Sequence, residues 1–453
     1  MAPPEALSGD VAFTVRRHQP ELVAPAKPTP RELKPLSDID DQDGLRFQIP
    51  LVHFYGHKAS MRGKDPTQVI KKALSEALVS YYPFAGRLRE GDGRKLMVDC
   101  NGEGVMFTAA DADISLHHFG DTLQPPFPHF DELLYNIPGS EGVLNTPLLI
   151  IQVTRLKCGG FILAYRLNHT MSDGAGIVQF LNAVAEIAGG AREPSVAPVW
   201  RRELLSARDP PQITCTHREY EQISNNYDPM WTQESIAHHS LFLGPKKLEA
   251  ICQLFSHYNN GQNTTRFEAL TAFLWRCRTK ALQLEPSQEV RFMCVSNLRG
   301  KSKPQLLPLG YYGNGFVYPA AVTTAGKLCE NSFGYALELV KKAKAEATVE
   351  YMQSVADLMV TKGRPCFIKP RTWIVSDTSR LGLRDVDFGW GKAVYGGPAT
   401  TEAGDFQGVS YYVGCQNAKG EEGIVVPCSL PLSAMKRFIH EVDQWIQFRH
   451  SSL

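Results

Sequence analysis

The chain has 453 residues, with 48 Lys and Arg against 47 Asp and Glu, a formal net charge of +1. A balance so near zero excludes a polybasic nucleic-acid binder and a coat for anionic membranes, but not a local basic pocket for one phosphorylated ligand. With 43% apolar and 21% charged residues, the composition is that of a globular chain with ample core, in two or three domains or one two-lobed unit.

Residues 1–45 are rich in Pro and carry a charged patch at 38–43. The start, Met1-Ala2-Pro3-Pro4-Glu5, has no basic stretch followed by an apolar core, so no signal peptide is expected. No apolar run approaches the ~18 residues of a membrane span. Residues 46–55 read as a strand. Asp65-Pro66 opens a helix, Asp as cap and Pro at the first position, and apolar spacing carries it to Pro83. Residues 148–156 and 160–167 are apolar, β-branched runs around Lys157-Cys158-Gly159, a hairpin or two neighbouring core strands. Ile177, Phe180, Leu181, Val184 and Ile187 stripe a second helix, ended by Gly189-Gly190.

Residues 198–232 show no period and carry Asp209-Pro210-Pro211, which suits a long crossover. Beyond it, 246–258 and 267–282 read as helices, 290–296 as a strand, and 331–359 as one or two helices. Residues 372–376, 409–413 and 423–427 read as strands, 394–397 as a turn, and a stripe from Met435 to Ile446 as a closing helix. Mixed elements in both halves predict two α/β lobes, 1–197 and 233–453, joined by the linker 198–232.

The ten cysteines form no CxxC pair, so neither a zinc ribbon nor a thioredoxin-type site is expected, and no metal site is assigned. Most are expected to be reduced thiols of a cytoplasmic protein. Sequons at Asn168 and Asn263 carry no weight without a secretory route. Ser451-Ser452-Leu453 resembles a peroxisomal tripeptide without its basic middle residue.

The strongest local signal is Asn168-His169-Thr170-Met171-Ser172-Asp173-Gly174-Ala175-Gly176, between a buried-looking strand and a helix. Such turns present side chains at an exposed edge on a rigid base. A His there is placed to act as a general base; a lone one reads more readily as a buried, hydrogen-bonded loop residue, but His169 is not alone. Asp173, four residues on, either orients the His or holds the turn. The second signal is Asp387-Phe388-Gly389-Trp390-Gly391. Without a glycine-rich phosphate loop or an H-R-D loop it is not a kinase element. No G-x-S-x-G elbow, H-E-x-x-H helix or nucleophile beside a base is present.

Taken together and in this order, the two strings resemble the plant BAHD family of CoA-dependent acyltransferases. Tyr82-Pro83-Phe84-Ala85-Gly86-Arg87-Leu88, Leu270-Thr271-Ala272-Phe273-Leu274-Trp275-Arg276, Asn297-Leu298-Arg299 and Tyr312-Gly313-Asn314 fit as well. The N-terminal stretch from Gln19-Pro20-Glu21-Leu22-Val23 to Ile49-Pro50 looks like the branch of alcohol acyltransferases and benzyl alcohol benzoyltransferases, near which piperamide-forming enzymes sit.

The resemblance implies a monomer of two chloramphenicol-acetyltransferase-like lobes with mixed sheets, flanking helices and a channel between them. It implies acyl-CoA as co-substrate, no tightly bound cofactor, and no nucleic-acid or membrane partner. His169 would be the general base. Asp387 belongs to the second required motif but reads better as architecture, with Phe388, Gly389, Trp390 and Gly391 packing the loop near the CoA entrance. Asp173, with Gly174 behind it, would turn from the reacting atoms and pair with Arg299. Lys246-Lys247 and Thr264-Thr265 fall near the family's CoA-binding segments, and Ser376-Asp377 on the strand lining its channel. Asp377 in place of the Trp of the hydroxycinnamoyl-shikimate branch argues against a shikimate acceptor. The implied reaction moves an aromatic, benzoyl- or cinnamoyl-like acyl group to a small alcohol. An amine such as piperidine, giving an amide, or a catalytically silent CoA-fold binding protein are the other readings.

Overall fold

The computed structural model describes residues 13–120, 123–127, 129–221, 235–258, 263–301, 305–404, 406–417 and 419–450. It is a mixed α/β fold with two main sheets. Residues 222–232 of the expected linker and the terminal Ser-Ser-Leu lie outside the described residues.

The apolar runs make the middle of the first sheet. Leu149–Arg155 and Phe161–Asn168 are buried almost throughout, on both faces, and pair antiparallel with Ile151 opposite Tyr165. Gln48–Tyr55 lies on the far side of Phe161–Asn168, and Val105–Ala112 runs parallel to Leu149–Arg155. Val15–Arg17 and Glu21–Val23 both pair with Val105–Ala112. Helix Pro66–Ser80 packs against helix Gly174–Ala188 and on this sheet. It starts where the Asp65 carboxylate accepts from the Thr67 amide, with Pro66 inside the first turn.

The other edge of this sheet comes from far along the chain. Residues 394–397, expected as a turn, begin the strand Tyr395–Pro398, which pairs antiparallel with Gln48–Tyr55, Tyr395 opposite Phe54. Two glycines in a row suppress a strand signal, but the free edge of Gln48–Tyr55 offers main-chain partners that a buried segment must find. The linear division at 233 therefore runs across the spatial one: a piece of 233–453 completes the first lobe's sheet.

The second sheet has the spatial order Ile236–Leu243, Glu422–Pro431, Val409–Gln416, Thr372–Asp377, Glu289–Cys294, Ala320–Thr324. Thr372–Asp377 is parallel to both of its neighbours. Helices Arg266–Leu282, Phe333–Glu346 and Leu432–His450 pack into one core with it. The expected helical stretch at 331–359 is two helices, Phe333–Glu346 and Val349–Thr361. They break at Ala347-Thr348, and the Thr348 hydroxyl caps the second by accepting from the Tyr351 amide.

The crossover has no period because polar side chains hold it. The Glu219 carboxylate, fully buried, accepts from the Tyr351 hydroxyl at 2.7 and 2.6 Å and contacts His217 Nδ1 at 3.1 Å. The Ser354 hydroxyl accepts from the amides of Thr214 and Cys215, both at 3.0 Å. Among the described residues no helix is long and apolar enough to cross a membrane, and no group of three His, Cys, Asp or Glu is placed to hold a metal ion.

Candidate active site

Strand Phe161–Asn168 ends in a turn that its own side chains shape. Asn168 Oδ1 accepts from the Thr170 hydroxyl at 2.8 Å, and the His169 amide donates to the Phe47 carbonyl at 2.9 Å. The His169 ring is flanked by Phe47 and Phe316, with centroids 5.3 and 6.0 Å away. Helix Gly174–Ala188 then starts with Asp173 as its cap, Oδ1 accepting from the Gly176 amide at 2.9 Å. A Cβ at Gly176 would collide with the Tyr312 carbonyl and the Ser172 hydroxyl. Gly176→Ala is therefore expected to cost about 1–3 kcal/mol, toward the upper end because one clash is with backbone. Urea unfolding of the variant checks this.

The structure places Arg299 against Asp173. Asp173 Oδ2 accepts from Arg299 Nη1 at 2.7 Å and from the Gly315 amide at 2.9 Å. Arg299 Nη2 in turn donates to the Gly313 carbonyl at 2.6 Å. Asp173 thus joins the helix start to the loop that follows the Asn297-Leu298-Arg299 string.

A second carboxylate, missed by the sequence reading, holds the same turn from the other side. Asp40 is fully buried; its Oδ1 accepts from Arg202 Nη1 at 2.7 Å and from the Asn314 amide and Nδ2, both at 2.9 Å. Asn314 Nδ2 also donates to the His169 carbonyl at 2.9 Å, and Arg202 Nη2 to the Met171 carbonyl at 2.8 Å. Four acids within 38–43 read as a solvated patch; nothing local says that Asp40 meets a guanidinium 162 positions away.

His169 opens on a cavity of about 140 Å³ between the sheets, which Phe47, Phe316, Phe367, Phe406 and Tyr411 also line. An apolar cavity of roughly 150 Å³ takes up benzene, so this space matches a single aromatic ring. Nδ1 is buried without a hydrogen-bond partner, which leaves the Nε2 edge toward the cavity. Burial lowers the His169 pKa from the ordinary imidazole value, opposed by its own carbonyl, Asp173, Asn314 and Asp40.

Thr378 and Leu383 line both this cavity and a neighbouring cleft of about 640 Å³. Arg266, Arg380, Arg384 and Lys392 give that cleft a basic wall. Lys247, Thr264 and Thr265 stand beside it and are not among its lining residues, although Leu248 and Arg266 are. Lys247 is exposed, and the Thr265 hydroxyl is engaged as a helix cap, accepting from the Glu268 amide at 3.3 Å. Ser376 and Asp377 line the His169 cavity, and Asp377 Oδ1 holds a turn by accepting from the Ser379 amide at 3.0 Å. The basic wall escapes the sequence because its members alternate with acids: Arg384 pairs with Glu422 at 3.0 Å and Lys392 with Asp385 at 2.7 Å.

Asp387 is not among the residues lining the His169 cavity. Its carboxylate is exposed where a buried one was expected, and Oδ1 accepts from the amides of Gly389 and Gly391, both at 2.7 Å. Those glycines have φ of 106° and 90°, a region costly for other residues. The tight loop drives Phe388 and Trp390 into the first lobe's core, edge-on to Tyr55 and Phe161. Lys392, just beyond, reaches the basic cleft. Asp387→Ala is expected to lower the melting temperature and raise the KM for acyl-CoA together, while Asp387→Asn, which keeps an acceptor, retains most of both. Equal loss in the two variants would show that the charge, not the loop, is what matters.

Comparison with known proteins agrees with this architecture. The model of the Transferase family matches residues 13–445. The chain is 60% identical to benzyl alcohol O-benzoyltransferase of Petunia hybrida over 441 residues, 97% of this chain and 95% of the relative. It is 56% identical to alcohol acyltransferase 16 of Actinidia chinensis var. chinensis, over 96% of this chain and 94% of the relative. Among solved structures, vinorine synthase superposes with a TM-score of 0.69 at 21% identity, covering 94% of this chain and 96% of that one. TRI101 of F. sporotrichioides, solved with coenzyme A and T-2, superposes with a TM-score of 0.67 at 15% identity, over 92% of this chain and 98% of that one. The chain belongs to the Transferase family, the BAHD acyltransferases that its motifs resemble.

Proposed function

We propose that this protein, a cytoplasmic monomer, transfers an aromatic acyl group, benzoyl- or cinnamoyl-like, from acyl-CoA to a small alcohol and so forms an ester. The observation that carries the reading is a pair of neighbouring spaces that share Thr378 and Leu383 in their walls: an aromatic-lined cavity beside His169, and a cleft with a basic wall. Names of relatives at 54–60% identity, benzyl alcohol O-benzoyltransferase and alcohol acyltransferase, support it. Arg266, Arg380, Arg384 and Lys392 would meet the phosphates of CoA, and the thioester would pass by Thr378 and Leu383 to reach His169.

His169 acts as general base. Nε2 takes the proton of the acceptor hydroxyl while that oxygen attacks the thioester carbonyl. The tetrahedral oxyanion collapses, the C–S bond breaks, and the CoA sulfur receives the proton back from His169. No bond to the enzyme forms. A lowered pKa keeps the imidazole neutral, and thus able to accept a proton, at neutral pH. Asp173, Arg299, Asp40, Asn314 and Arg202 position this turn and touch no reacting atom; Asp387 and its loop support the first lobe.

Release of free thiol from benzoyl-CoA on adding benzyl alcohol tests the reading, with simple amines such as piperidine as a second panel. Ester formation with alcohols is the expected result. Amide formation in preference would make the enzyme an N-acyltransferase, and no thiol release from any acyl-CoA would leave a binding protein.

A further inference from the structure

Several buried phenols elsewhere in this protein find partners. Tyr55 donates to the Val386 carbonyl at 2.9 Å, Tyr395 to the Pro398 carbonyl at 2.7 Å, and Tyr412 meets the Thr271 hydroxyl at 3.0 Å. Tyr318 and Tyr411 differ. They are 8% and 5% exposed, both line the His169 cavity, and neither hydroxyl has a hydrogen-bond partner among the described residues. Tyr311 also has an unpaired hydroxyl, but that oxygen is sealed off from any cavity; those of Tyr318 and Tyr411 are not.

The fold brings the two together from separate strands. Tyr318 follows the short strand Phe316–Val317, its ring edge-on to Phe316 at 5.1 Å and to Phe367 at 4.6 Å. Tyr411 lies on Val409–Gln416, on the face that Val409 shares by alternation, opposite Ser376 in the parallel pairing. Their phenols are near enough to interact electrostatically, yet they are not hydrogen-bonded to one another. Burial raises both pKa values, so both remain neutral donors at working pH. Neither hydroxyl is among the buried unpartnered atoms, and the cavity they line mixes aromatic rings with polar side chains, Asn297 and Ser376 among them. A ligand that displaces water from such a space is favoured when its own oxygen replaces the bond that water gave each phenol.

We propose that Tyr318 and Tyr411 form a polar subsite that reads an oxygen substituent, hydroxyl or methoxy, on the aromatic ring of a substrate. This rests on the acyltransferase reading above and adds to it a preference among aromatic substrates. The ring enters between Phe316, Phe367 and Phe406, and its oxygen accepts from one or both phenols. A bare ring fills the same space but leaves those donors to water or to nothing. The oxygenated ring belongs to either the acceptor alcohol or the acyl group; the chemistry is the same and the experiment separates them.

The test uses the full chain and compares kcat/KM in two arms. In the first, benzoyl-CoA is the donor and benzyl alcohol is set against 3- and 4-methoxybenzyl alcohol, which add an acceptor oxygen without a second nucleophile. In the second, benzyl alcohol is the acceptor and benzoyl-CoA is set against 3- and 4-hydroxybenzoyl-CoA. Wild type, Tyr318→Phe and Tyr411→Phe are measured in both. The expected result is a preference of about tenfold for the oxygenated ring in one arm, the worth of one or two hydrogen bonds. It falls to about one in at least one Phe variant, the ratio being taken within each protein so that a change in turnover of the bare ring cancels. A preference that both variants leave unchanged, or wild-type ratios at or below one in both arms, would overturn the subsite. Turnover of benzyl alcohol with benzoyl-CoA reports separately on the acyltransferase reading. If that reaction is silent, calorimetric titration of the same alcohols into the three proteins still reads the subsite, by the same ratios of Kd.

Discussion

Replacing His169 with alanine is expected to leave the fold intact and to lower kcat more than a hundredfold. Among the described residues the ring is flanked by Phe47 and Phe316, and the hydrogen bonds at this position run through its main chain, to Phe47 and from Asn314. An alanine keeps both main-chain bonds, so the loss should fall on chemistry. General base catalysis contributes typically ~10²–10⁴-fold. In the wild-type enzyme, kcat/KM should rise with pH and level off as the imidazole loses its proton. Because burial lowers the His169 pKa, the midpoint of that rise should lie below the ordinary imidazole value of 6.5. Retention of more than about a hundredth of wild-type kcat by His169→Ala would rule out this residue as the base.

Asp173→Asn and Arg299→Ala should lower stability and activity together. Their side chains are 7% and 19% exposed, and the pair closes at 2.7 Å. Removing one member of a buried ion pair typically costs about 3–5 kcal/mol, because the other charge is left uncompensated. The asparagine is the sharper probe. Its oxygen can still accept from the Gly176 amide and cap the helix, so its effect reports what Oδ2 supplies, the charge opposite Arg299 and the bond from the Gly315 amide. Urea unfolding and kcat/KM measured on the same preparations provide the check. An unfolding curve for Asp173→Asn that overlays the wild type would show that the ion pair does not hold the turn.

Much of the fold is legible in the sequence where the signal is local. Asp65-Pro66 announces the helix Pro66–Ser80 because cap and first-turn chemistry act within three residues. The apolar runs either side of Lys157-Cys158-Gly159 mark Leu149–Arg155 and Phe161–Asn168, because a strand covered on both faces must be apolar throughout. The loop 394–397 is misread for the opposite reason: its strand exists only because Gln48–Tyr55 lies beside it. Asp387 is misplaced too, expected in the interior and found at the surface, where two glycine amides satisfy its carboxylate.

By itself the sequence determines the two strings His169-x-x-x-Asp173 and Asp387-Phe-Gly-Trp-Gly391, the strand-to-helix turn that carries the first, and through them the family. Only the tertiary structure decides what surrounds His169. Asp40, Arg202 and Asn314 converge on its turn from three distant segments, Phe47 and Phe316 flank its ring, and Tyr318, Phe367 and Tyr411 line the cavity beside it. Hydrophobic periodicity reports which face of an element is buried, and capping chemistry reports where it begins. Neither reports which residues of other elements that face will meet, because contacts between residues hundreds of positions apart are set by packing of the whole chain.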